Sequence, residues 1–230
     1  MDMLPLPLPA APSAILFDFN GTLSLDEDLM GDLYIALACD LFGLRLTPEQ
    51  YAEDYVGLSD PDISRAVASR AGAPHRADEL LESLAARYAE SIRAAPRIPA
   101  SHVAVVRDLA PTNLPLGVVT GTLRRLVEPA IEAAGIRDLF AAVVAIEDVR
   151  QGKPHPEGFL RGFALLGADP SRGIVIEDSA AGIAAAAAAG SACVAVGSDR
   201  PRPGATATIP TVADLTRLLR GHDSGVAQPS

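Results

Sequence analysis

Apolar residues fall into two alternating rhythms along this 230-residue chain. Short runs rich in Val, Ile, Leu and Ala recur at about 14–19, 116–120, 142–147, 173–176, 192–196 and 206–209, and read as buried strands. Between the later runs, apolar positions return every three to four residues over 101–110, 123–134, 156–166, 179–189 and 212–219. That is the spacing of helices with one buried face. Gly135 and Gly190 follow two of them, where a left-handed residue stops a helix. Strands separated by single helices predict right-handed crossovers and a mainly parallel sheet, hence an α/β fold.

One segment breaks the alternation. From about 26 to 93 the pattern is helical throughout, as in Leu29, Leu33, Leu37 and in Leu80, Leu84, Tyr88. Asp60 and Asp78 suit helix N-caps, and Pro61 a first helical position. With no strand, this block cannot join the sheet. The expected organisation is a Rossmann-like core from 14–24 and 97–220, an inserted α-helical cap from 25–96, and flexible tails at 1–13 and 221–230. The tyrosines Tyr34, Tyr51, Tyr55 and Tyr88 all lie in the cap and read as packing between its helices.

Composition narrows the partners. Nearly half the residues are apolar, and the formal charge of −10 argues against nucleic acid or an anionic membrane surface. No apolar run approaches a membrane span, and the leading Leu/Pro-rich stretch lacks a basic start. Cys39 and Cys193 read as small buried hydrophobes of a reducing compartment. The expectation is a cytoplasmic monomer acting on a small molecule.

Candidate chemistry gathers at strand ends, where ligands bind in parallel sheets. The first strand runs into Asp18, Asn20, Gly21 and Thr22; the second ends in Thr120-Gly121-Thr122 before a helix whose first amides face an anion. Lys153 follows the third, and Glu177-Asp178 end the fourth. Each has a plainer reading: an Asn-Gly turn, an N-cap threonine, a solvated lysine, acids at a helix N-terminus. Their order on successive strand ends is what points to one site. Three carboxylates at one edge call for a cation, and oxygen-only ligands suit Mg²⁺.

These stretches resemble a known family. "FDFNGTL", "VVTGT", "GKPHPEGF" and "VIEDSAAGI" are similar to the four motifs of the haloacid dehalogenase-like hydrolases, in the β-phosphoglucomutase and phosphoglycolate phosphatase-like branch. "YVGLSD" resembles the specificity loop of that branch's mobile cap. The resemblance implies a Mg²⁺-dependent phosphatase acting on a small phosphorylated metabolite, with Asp18 as nucleophile forming an aspartyl phosphate. It implies that Asp18, the main-chain oxygen of Asn20 and Asp178 hold the metal, with Glu177 beside them or acting through water. Thr120, Gly121 and Lys153 would hold phosphoryl oxygens, and Thr22 is placed with them.

Two departures bear on mechanism. The family usually carries a second Asp where this chain has Asn20, and Asn cannot act as the general acid/base that protonates the leaving oxygen. Asp26, Glu27 and Asp28 are candidates to replace it; otherwise hydrolysis is slow or favours good leaving groups. The related mutases have Arg after Gly-x-Ser, where this chain has Asp60, so a second phosphate is disfavoured unless Arg65 or Arg70 compensates. A phosphonatase-like reading needs a cap lysine, yet Lys153 is the chain's only lysine. The alternative from another class is a catalytically weak relative that binds a phosphorylated ligand.

Overall fold

The computed structural model describes residues 6–224. Its strands are β1 (Ala14–Phe17), β2 (Leu116–Val119), β3 (Ala142–Val144), β4 (Gly173–Glu177), β5 (Ala192–Val196) and β6 (Ala207–Ile209). They form one sheet in the order β3-β2-β1-β4-β5-β6, each neighbouring pair parallel. The parallel α/β fold expected from the alternating pattern is therefore present.

Side chains alternate across a strand, so β1 feeds two cores. Ile15 and Phe17 pack with Val118, Ile174 and Ile176 on one face. Ala14 and Leu16 pack with Val119, Val175 and Phe163 on the other. Helices cover both faces, which is why the strands are apolar at nearly every position. The chain builds outward through β2 and β3, then returns to β4 on the opposite side of β1. The carboxyl ends of β1 and β4 thus flank the crevice where strand order reverses. Asp18 follows β1 there, and Glu177-Asp178 close β4.

The helical block lies between β1 and α5 (Ala100–Leu109) and consists of α1 (Glu27–Phe42), α2 (Pro48–Tyr55), α3 (Asp60–Arg70) and α4 (Ala77–Ala94). α4 packs against α1 and α3, and also touches α6 (Arg124–Ala133) of the sheet layer. α2 starts at a reciprocal box: Gln50 N donates to Thr47 Oγ1, and Thr47 N to Gln50 Oε1. Tyr34, Tyr51, Tyr55 and Tyr88 of this block are all buried, as expected. The remaining helices are α7 (Glu157–Leu165), α8 (Ala180–Ala188) and α9 (Leu215–Ser224). Among the described residues no helix is long and apolar enough to cross a membrane.

Several local expectations are corrected. Ser59, not Asp60, caps α3, because its hydroxyl accepts from Asp62 N while Asp60 turns inward. Asp78 lies inside the first turn of α4, after a short turn at Pro74–Arg76. β1 stops at Phe17, since Phe19 O accepts from Ser24 N and closes a local turn. β3 stops at Val144, with a 3₁₀ turn over Ile146–Asp148. Cys39 is exposed on α1; only Cys193 is buried. The arm over residues 6–13 is tethered rather than loose: Ser13 N donates to Arg172 O, Arg172 Nη2 to Ala11 O, and Thr206 Oγ1 to Leu6 O. At the other end α9 continues through 221–224, and the remaining tail residues lie outside the described ones.

Candidate active site

Four loops deliver their groups to the crevice. Lys153, in the turn before α7, donates from Nζ to Asp18 Oδ1 and, at 2.5 Å, to Glu177 Oε1. Asp18 is 6% exposed and Glu177 fully buried. The other oxygen of Glu177 accepts from Ser179 N (2.7 Å) and Ser179 Oγ (2.9 Å), so both its oxygens are engaged. The lysine is thereby held by one acid anchored at the start of α8 and offered to a second. The Lys153 ammonium also lies 5.1 Å from the Phe159 ring centroid.

Asp178 is positioned from β1's side. Thr22 Oγ1 donates to its Oδ1 at 3.0 Å. The carboxylate occupies the space a side chain at Gly21 would need: a Cβ there would stand 2.4 Å from Oδ2, and φ is +75°. Only glycine admits both that turn and this acid. Oxygens of Asp18, Glu177 and Asp178 lie within 4.8 Å of one another. Burial, with the neighbouring charges of Glu177 and Asp178 and against the pull of Lys153, pushes the Asp18 carboxyl up to about 8. Burial and then Glu177 raise Asp178 to about 6. Burial alone would lower the Lys153 ammonium, but the charges of Asp18 and Glu177 raise it. One ammonium among three acids leaves negative charge to be offset, and a hard, oxygen-only donor set fits a divalent ion such as Mg²⁺.

The stretch expected to face an anion is Thr120-Gly121-Thr122. Thr120 is not an N-cap; its Oγ1 accepts from Thr122 N at 3.1 Å, which leaves its hydroxyl proton to donate. Leu123 precedes the first residue of α6.

The structure brings Asp18, Asn20, Thr120, Gly121, Lys153, Glu177 and Asp178 to one cavity of about 200 Å³. Thr22 stands behind Asp178. Of the acids considered as replacements for the missing one, Asp26 is fully buried behind Asn20. Its carboxylate accepts from Asn20 Nδ2 at 3.0 Å and from the Tyr88 hydroxyl. Asp28 pairs with Arg97 on the surface. Glu27 alone of the three lines the cavity. Arg65 and Arg70 pair with Asp62 and Asp54 and do not line it.

Sequence reasoning missed one of the contacts that join the helical block to the sheet layer. Asp60, 4% exposed, accepts from Thr122 Oγ1 at 2.8 Å and from the Tyr34 hydroxyl at 3.3 Å. Its position after Gly57-Leu58-Ser59 was visible, but its partner lies 62 residues away. Burial, against the Thr122 bond, raises its carboxyl to about 6 from 3.8. A raised folded pKa means stability that is complete below about pH 4 and lost as pH rises through about 6, worth about 3 kcal/mol. Asp60→Asn keeps an acceptor for Thr122 without the charge. Urea unfolding from pH 4 to 8 should therefore show a smaller loss of stability across pH 4–6 than the parent. The parts due to Asp18 and Asp178 should remain. An unchanged pH dependence would mean that Asp60 does not titrate in this window.

A family model described as haloacid dehalogenase-like hydrolase matches residues 15–196. The validoxylamine A 7′-phosphate phosphatase of Streptomyces hygroscopicus subsp. limoneus is 35% identical over 161 residues, 68% of this chain and 72% of that protein. A phosphoglycolate phosphatase of Chromobacterium violaceum is 35% identical over 122 residues, covering 50% of this chain and 55% of that protein. Among solved structures, a β-phosphoglucomutase from Clostridium difficile aligns over 94% of this chain and all of its own, with TM-score 0.77 and 19% identity, a likeness of fold.

Proposed function

Because this chain belongs to the haloacid dehalogenase-like hydrolases, we propose that Asp18 attacks the phosphorus of a small phosphate monoester. Phosphatase activity on small phosphorylated substrates is common to its named relatives. The finer reading concerns how this chain performs it. A bond forms from an Asp18 carboxylate oxygen to phosphorus as the bond to the alcohol oxygen breaks, and the alcohol oxygen takes its proton from water. Water then attacks the aspartyl phosphate, releasing inorganic phosphate and restoring the carboxylate.

The single observation that carries this is Lys153, whose ammonium bonds both Asp18 and the anchored Glu177 beside the Thr120-Gly121 amides. Phosphoryl transfer needs positioning and charge neutralisation above all. Lys153, the Thr120 hydroxyl and the Gly121 amide hold the three phosphoryl oxygens, and Thr22 keeps Asp178 in place. Asp18, Asp178 and the main-chain oxygen of Asn20 hold Mg²⁺, with Glu177 beside them chiefly orienting Lys153. When bound, the ion offsets repulsion between an anionic nucleophile and an anionic substrate. Residues 25–96 form the cap over this site. The test is turnover of p-nitrophenyl phosphate by the wild-type chain, expected with Mg²⁺ and lost with chelator. No turnover with any added divalent ion overturns the reading.

Asn20 favours one alternative, a relative that binds phosphate esters without turning them over; ligand-induced thermal shifts without product would support it. The Asn20–Asp26 contact makes a sharper prediction. In Asn20→Asp two carboxyl groups meet where an amide now donates, and such a pair shares a proton, with one pKa raised. A protonated acid then faces the cavity near neutral pH. Turnover of glycerol 3-phosphate should rise by roughly 10²-fold, the low end of general-acid effects. The gain should fade as pH rises and the shared proton is lost. No gain in a kcat–pH profile would mean that another acid, such as Glu27, already serves.

A further inference from the structure

The helical block lines the cavity with Glu27, Tyr51, Tyr55 and Asp60 among apolar side chains that include Met30, Val56 and Leu58. The charge on that lining is of one sign. Among the described residues the only cation lining the cavity is Lys153, and both acids at the bottom of the crevice already claim it. The arginines nearest in sequence to the specificity loop are paired with Asp62 and Asp54 outside it. Glu27 lines the cavity, and its charge reaches the interior, where it contributes to raising the Tyr51 hydroxyl.

Such a wall selects by what it lacks. Ionised carboxylates only accept hydrogen bonds, so they favour hydroxyl or ammonium donors. A carboxylate or second phosphate on the alcohol would lie against Asp60 and Glu27 with no partner, and like-charge juxtaposition is a strong means of rejection. Asp60 is already hydrogen-bonded to Thr122 and Tyr34 and acts through its charge; exposed Glu27 stands at the mouth. Tyr51 and Tyr55 line the cavity, the Tyr51 ring packed against those of Tyr34 and Tyr55, and aromatic side chains suit the C–H surface of a polyol or an ammonium group. The cavity of about 200 Å³ has room for a small alcohol beside the phosphoryl group.

We propose that the alcohol half of the substrate bears hydroxyl or ammonium donors and no second negative charge: the substrate is the monophosphate of a small polyol or amino alcohol. This rests on the phosphatase reading above and sharpens it. Two pairs of esters matched in size test it: glycerol 3-phosphate against glycerate 3-phosphate, and ethanolamine phosphate against phosphoglycolate. Wild-type kcat/KM should favour the first member of each pair by on the order of tenfold or more, the scale of one close charge contact at a partly solvated site. The two first members separate a polyol from an amino alcohol. In Glu27→Lys the preference should shrink or reverse; the ratio within each variant is the readout, so a change in overall rate does not obscure it. Equal or inverted wild-type ratios overturn this inference while leaving the phosphatase reading intact. No turnover of these esters or of p-nitrophenyl phosphate removes the phosphatase reading, and this inference with it.

Discussion

Asp18→Asn is expected to lower turnover of p-nitrophenyl phosphate by roughly 10⁴-fold or more, the scale on which removal of an attacking group acts. The substitution is nearly isosteric, and the amide oxygen still accepts from Lys153. What disappears is the nucleophile and an ionisable carboxyl buried beside Glu177 and Asp178. Fold and stability should therefore survive. Asp18 binds its proton more tightly in the folded chain, with the carboxyl up to about 8. Its contribution is thus complete below about pH 4 and lost as pH rises through about 8. The variant should melt no lower than the parent at pH 8. Turnover and thermal melting measured on the same preparation check both halves. Unchanged turnover takes Asp18 out of the mechanism; lost folding would show that its charge, rather than its shape, holds the crevice together.

Lys153→Met should be the most damaging single change to stability. Glu177 is fully buried, and its Oε1 depends on the Lys153 ammonium. Removing one partner of a buried ion pair typically costs about 3–5 kcal/mol, because the other charge remains without compensation. The loss should be largest at pH 8 and smaller at pH 5, where the neighbouring acids can take up protons. Activity should fall as well, by roughly 10²–10³-fold if the stabilising donor to the phosphoryl group is gone. Melting temperatures at the two pH values, with turnover alongside, provide the check. A variant as stable as the parent at pH 8 would mean that Glu177 finds its compensation elsewhere.

Much of this was legible before any coordinates. Ala14 to Phe17 and Ile174 to Ile176 are apolar throughout and feed two cores, as strands covered on both faces do, and the helices between the runs point to the parallel sheet. Asp18, Thr120, Lys153 and Glu177-Asp178 each follow a strand, so their convergence is a consequence of parallel topology. Capping was less readable. Ser59 and Asp60 are both good N-cap residues, and what separates them is that Asp60 finds Thr122 and Tyr34 inside the protein. Cys39 sits on a helix whose apolar stripe leaves it outside.

By itself, then, the sequence determined the strands, the helical insertion and the set of groups gathered at one edge, because period and strand order are local properties of the chain. The tertiary structure decided how those groups are employed. It tied both oxygens of Glu177 and so made it the anchor of Lys153, set Asp26 behind Asn20, and turned Asp60 from a helix cap into an acid on the cavity wall. Each of these depends on contacts between residues far apart in the chain or on the burial they create, and neither distance nor burial is written in any short stretch of sequence.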